Sequence, residues 1–146
     1  MNDPFLKPVI LGGLLISVLS IIFAPGIFLW AIVGGYITVR LSSKFTQETI
    51  SKIDVLLLGL FSGIIGGTSL DMITALSFRS PENRQSLIRI IEKSWPKELS
   101  PISNLQELLP SLFFSTCIFI IFVTVLFSIV GAFIGLFISK KAKKIS

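Results

Sequence analysis

Uncharged apolar residues fill three stretches of this chain, 8–39, 55–78 and 111–139, and polar residues fill the gaps. The three stretches hold 85 residues with a single charged side chain, Asp71, whereas the other 61 residues hold 20 charges. A helix needs about 18 or more consecutive apolar residues to cross the hydrocarbon core of a bilayer. The pattern therefore predicts an all-α membrane protein, with one membrane domain over 1–146.

The first stretch is too long for one crossing. Its 32 residues would make a helix of roughly 48 Å against a core of about 30 Å. Ala24-Pro25-Gly26 sits at its midpoint, and proline followed by glycine is a turn signal that also removes a helical hydrogen bond. A helical hairpin over about 4–23 and 26–41 is expected. The alternative is a re-entrant pair that never fully crosses, tolerated only where other helices cover it. Further helices are expected over about 53–78 and 110–139, the last longer than a crossing needs. Four transmembrane helices put both termini on one side.

The 79–110 segment has a different rhythm. Ser80-Pro81-Glu82 is a helix start, with serine as cap, proline in the first turn and an acid behind it. Leu87, Ile88, Ile91 and Trp95 then recur at helical spacing opposite Arg84, Arg89, Glu92 and Lys93, and Pro96 closes the run. An amphipathic helix on the membrane surface is expected, as a lid on the bundle or a partner platform. A second short helix is expected over 104–109 behind Ser103. Trp30 and Trp95 are the interfacial tryptophans, at headgroup level.

Charge orients the four-helix arrangement. Lys7, Arg40, Lys44, Lys52, Lys140, Lys141, Lys143 and Lys144 share one face, eight cations in short segments. The other face has Arg79, Arg84, Arg89, Lys93 and Lys97, nearly offset by Glu82, Glu92, Glu98 and Glu107. Positive segments stay inside, so both termini are expected in the cytoplasm and 79–109 outside. Three crossings would divide the cations six to seven and leave no bias. The basic tail 140–146 is expected to orient the last helix and meet anionic lipid. The amino terminus lacks a cleavage pattern, because Ala24 is followed by proline, and is expected to stay as the first helix.

Composition narrows the chemistry. There is no histidine and one cysteine, so neither a histidine base nor a Cys-x-x-Cys pair exists. No nucleophile–base pair or metal cluster can be assembled, so no enzyme activity, cofactor or metal is expected. The net charge of +5 follows from topology and does not call for nucleic acid.

All 11 glycines lie inside the apolar stretches. Helices in lipid associate by close backbone approach at small residues. Gly12-Gly13 and Gly34-Gly35 lie at nearly equal distances from the hairpin turn and are expected to face each other. Gly59, Gly63 and Gly67 form a groove on the third helix, and Cys117, Thr124, Ser128, Gly131 and Gly135 a thinner stripe on the fourth. These stripes either pack the bundle or dock another copy or subunit.

Asp71 continues the 59, 63, 67 series. An ionised aspartate near the bilayer centre costs about 2.5 to 3.5 kcal/mol on insertion scales, and such residues default to a functional hypothesis. Thr68, Ser69, Thr74 and Ser77 are the hydroxyls nearest in sequence. The competing reading is a capping box, Thr68-x-x-Asp71, with the helix breaking at Gly66-Gly67 and restarting.

Pro8-x3-Gly12-Gly13 and Trp30-x3-Gly34-Gly35, separated by the Pro25-Gly26 turn, are similar to a hairpin in small uncharacterised bacterial multi-pass membrane proteins. The resemblance covers about the first 40 residues. It implies a bacterial inner-membrane location and carries no activity. Three functions are expected in order: an accessory or assembly subunit packing through its glycine faces, a small homo-oligomeric channel or transporter using Asp71 for a proton or cation, and a holin-like pore former.

Overall fold

A computed structural model describes residues 5–46, 50–94 and 105–145, with side chains described only for 107–139 of the last segment. No strand occurs among the described residues. The helices are α1 (Leu6–Ile22), α2 (Ile27–Phe45), α3 (Lys52–Ser77), α4 (Pro81–Ser94) and α5 (Leu105–Ile145). Three segments are long and apolar enough to cross a membrane: Ala24–Phe45, Lys52–Ser77 and Glu107–Ser139. The remaining apolar helix, α1, is shorter, with 17 residues and a length of about 26 Å.

The turn between α1 and α2 is a single 3₁₀ turn over Ala24–Gly26, with Pro25 in its first turn. The Gly26 amide donates to Phe23 O at 3.0 Å, and the Trp30 indole donates to the same oxygen at 3.2 Å. A Cβ on Gly26 would stand 2.7 Å from Trp30 Nε1. Glycine is needed there so that the indole can close the turn.

The helices form two flanks around a central pair. α1 packs on α2 and α3, and α5 packs on α2 and α3 from the other side. One buried layer joins Val9, Val39, Val55, Leu58, Ala132 and Leu136. It draws on the start of α1, the end of α2, the start of α3 and the end of the apolar part of α5, so successive apolar helices run up and down. At the opposite end α4 is tied to the C-terminus of α3. Asn83 Nδ2 donates to Ser77 O at 2.8 Å and Arg84 Nε to Phe78 O at 2.7 Å, filling carbonyls that a helix end leaves unpaired. Along α4, Leu87, Ile88 and Ile91 are half-buried while Arg84, Arg89, Glu92 and Lys93 are exposed.

Several boundaries differ from the expected ones. α2 continues past residue 41 to Phe45, with the Thr46 amide donating to Ser42 O at 2.9 Å. The described part of 104–109 is not a separate helix. From Leu105 onward those residues are the first turns of α5, which is continuous through Pro110 for 41 residues. Proline removes one amide donor there, and the helix absorbs that loss without ending. Trp95, Pro96 and Asn104 lie outside the described residues, as do the side chains of Lys140, Lys141, Lys143 and Lys144.

The interior is small and hydroxylated. Ser17, Ser20, Thr38, Ser42, Ser62, Thr124 and Ser128 are buried, and large apolar side chains such as Phe114, Phe119, Phe122 and Phe137 point outward. Such an arrangement suits lipid outside and close backbones inside.

Candidate functional site

The α3–α5 seam is built by subtraction. A Cβ on Gly59 would stand 2.7 Å from Ile129 Cα, one on Gly63 2.5 Å from Val125 Cα, and one on Gly67 2.9 Å from Ile121 Cα. Each step of four along α3 meets a step of four back along α5. The backbones are therefore in contact, and hydroxyls cross between them. Ser62 Oγ and Ser128 Oγ lie 2.8 Å apart. The Thr124 hydroxyl reaches Gly63 O at 3.0 Å and Ile120 O in its own helix at 2.9 Å, sharing one proton.

The other glycines divide the work between neighbours. Gly12 and Gly34 face each other across the hairpin, each Cβ position 2.8 Å from the other's carbonyl oxygen, and Thr38 fills the notch at Gly12. Gly13 instead meets Ile65 and Ser62 of α3, and Gly35 meets Ser128 of α5. Adjacent residues on a helix point about 100° apart, so a Gly-Gly pair serves two neighbours rather than one. Gly66 meets Ile16 of α1, while Gly131 and Gly135 meet Ile32 and Tyr36 of α2. Every one of these faces is covered by another helix of the same chain.

The next step of four on the seam brings Asp71 to Cys117. Asp71 lies six residues before the end of α3, about 9 Å along the axis. Both carboxylate oxygens are buried and accept no hydrogen bond from a nitrogen or oxygen donor among the described residues. The Cys117 thiol is the polar group that faces them, and a thiol is a weak donor. Three of the four hydroxyls nearest in sequence are spent elsewhere: Thr68 donates to Ile64 O at 2.7 Å, Thr74 to Leu70 O at 2.8 Å and Ser77 to Ile73 O at 3.1 Å.

The capping-box reading of Thr68 and Asp71 is overturned. α3 runs unbroken from Lys52 to Ser77, so Gly66-Gly67 makes no break and Thr68 has no orphan amide to cap. The capping box of this helix is at its start. Asp54 N donates to Ser51 Oγ at 3.2 Å and Ser51 N to Asp54 Oδ2 at 3.0 Å. Ser51-x-x-Asp54 carries the same sequence signal as Thr68-x-x-Asp71, and it stands where a polar linker meets an apolar run.

Trp30 is half-buried at the hairpin tip. Among the described residues no group of three or more metal-ligating side chains occurs. Comparison of the chain with protein-family models, with curated proteins and with solved structures finds no match in any of the three.

Proposed function

We propose that this chain is a non-enzymatic, multi-pass protein of a bacterial inner membrane that moves a proton or small cation by way of Asp71. The observation that carries the proposal is the Asp71 carboxylate, whose two buried oxygens have only the weak Cys117 thiol as a donor. A carboxylate charge held away from water and strong donors is costly, and a bound proton or monovalent cation offsets that cost. The oxygens face Cys117 rather than lipid, which disfavours pairing with a cation from a neighbouring subunit. The helices leave no open pore along the glycine seam, so transport requires α3 and α5 to part near Asp71.

Four crossings with both termini cytoplasmic complete the proposal. The buried layer from Val9 to Leu136 supports α1 as a crossing, because it sets the start of α1 level with the starts or ends of three longer helices. The hairpin tip supports it too: Ala24 shares a cavity of about 430 Å³ with Thr74, Ser77 and Leu87, at the far end of the bundle. Lys7, Arg40, Lys44 and Lys52 lie at the opposite end, as a cytoplasmic face requires, and the resemblance of the hairpin to bacterial membrane proteins agrees. An accessory subunit docking through its glycine faces is less well supported, because the chain's own helices fill them. A holin-like role has only size and the lysine tail behind it.

The test is flux in reconstituted vesicles loaded with a proton-, sodium- or potassium-sensitive dye, each under a gradient of the matching ion. Wild type should dissipate one of them, and Asp71→Asn should abolish that flux while inserting normally and keeping its helix content. Flux unchanged by the substitution, or no flux of any of the three ions by wild type, would remove the proposal.

A further inference from the structure

The geometry points to a second site, for an anionic phospholipid, in the cavity where the end of α3, the start of α4 and the start of α5 meet. The phosphate would sit on Arg79 and Arg84, and an acyl chain on Phe78 and Phe113. The cavity has a volume of about 540 Å³, within the usual range for a small-molecule site. Its chemistry is divided. Arg79, Arg84 and Gln85 supply the polar part, whereas Phe78, Leu109 and Phe113 are among the apolar part. Phe78 and Phe113 hold their ring centroids 4.8 Å apart at 51°, making one wall across α3 and α5.

Charge and depth select the occupant. The apolar run of α3 stops at Phe78, so Arg79 and Arg84 stand at headgroup level, where α4 lies. Neither arginine makes an ion pair with a described residue. Arg84 gives Nε to Phe78 O, which fixes its guanidinium and leaves its other donors for a phosphate, the anion that this planar fork suits. A soluble phosphate would leave the apolar wall without a partner, whereas a phospholipid matches both parts. The site is at the opposite end of the bundle from the basic tail and so concerns the other leaflet. It rests on the membrane-spanning reading of the chain and is independent of any role for Asp71.

The test is native mass spectrometry of the full chain, taken from the membrane fraction in detergent and titrated with phosphatidylglycerol or phosphatidylcholine of matched acyl chains. Wild type should hold phosphatidylglycerol more tightly, and Arg79→Gln, which disturbs no observed hydrogen bond, should weaken that binding roughly fivefold. Arg84→Lys keeps the charge but loses the planar fork and the bond to Phe78 O, and should also weaken the binding. The same Arg79→Gln loss should appear in a chain whose Lys140, Lys141, Lys143 and Lys144 are changed to glutamine. Equal binding of both lipids by wild type, no effect of Arg79→Gln, or displacement of the lipid by millimolar inorganic phosphate would overturn the site. A chain absent from the membrane fraction would overturn the membrane reading, and this site with it.

Discussion

At the scale of the residue, glycine and aspartate have opposite relations to the sequence. The glycine series 59, 63, 67 announces a close contact, yet only the structure says which helix fills the groove. The depth of contact also separates glycines that look alike. A Cβ at Gly63 would press on the Val125 backbone at 2.5 Å, whereas one at Gly135 would stand 3.0 Å from Tyr36 O and 3.3 Å from Val39 Cβ. Alanine gains about 1 kcal/mol of helix propensity over glycine, which overpacking of about 1 to 3 kcal/mol opposes. Gly63→Ala should therefore lower the melting temperature in detergent, and Gly135→Ala should leave it nearly unchanged. Equal shifts for the two would refute the seam as described. Asp71 was legible as the lone charge, and its lack of a strong hydrogen-bond donor was not, because Thr68, Thr74 and Ser77 had first to be seen turning back on their own helix.

At the scale of the element, the hairpin, α3, α4 and the apolar part of α5 follow from hydrophobic runs, Pro25-Gly26 and Ser80-Pro81-Glu82. The misread features were breaks. Gly66-Gly67 and Pro110 carry breaking signals, but each sits in a long apolar run whose backbone groups have no better partner in lipid than the helix itself. Capping signals behave the same way, effective at Ser51 and idle at Thr68. Between elements, the Ser62–Ser128 contact is a polar bond between side chains on the α3–α5 seam, beside the Thr124 hydroxyl on Gly63 O. A double-mutant cycle with Ser62→Ala and Ser128→Ala should give a coupling of about 0.6 kcal/mol, the usual size for hydrogen bonds between membrane helices. Strict additivity in detergent unfolding would show that the two hydroxyls are neighbours without being bonded.

At the scale of the whole molecule, the arrangement is an up-and-down bundle with Lys7, Arg40, Lys44 and Lys52 at one end and α4, which carries both acids and cations, at the other. In a Cys117→Ser background, Ala24→Cys and Ser80→Cys should react with a membrane-impermeant maleimide in intact cells, and Lys44→Cys only after permeabilisation. Protection of Ala24→Cys in intact cells would make the first hairpin re-entrant. The sequence by itself determined that the chain is helical and membrane-bound, where most helices lie, and that Asp71 is exceptional, because these follow from transfer of side chains between water and hydrocarbon, a property of each residue. Only the tertiary structure decided that the glycine faces are filled from within, that Asp71 meets Cys117 without a satisfying donor, and that Arg79 and Arg84 share a cavity with Phe113. Those depend on which helix lies beside which, and lipid, being as apolar as the side chains, leaves that choice to backbone contact and shape.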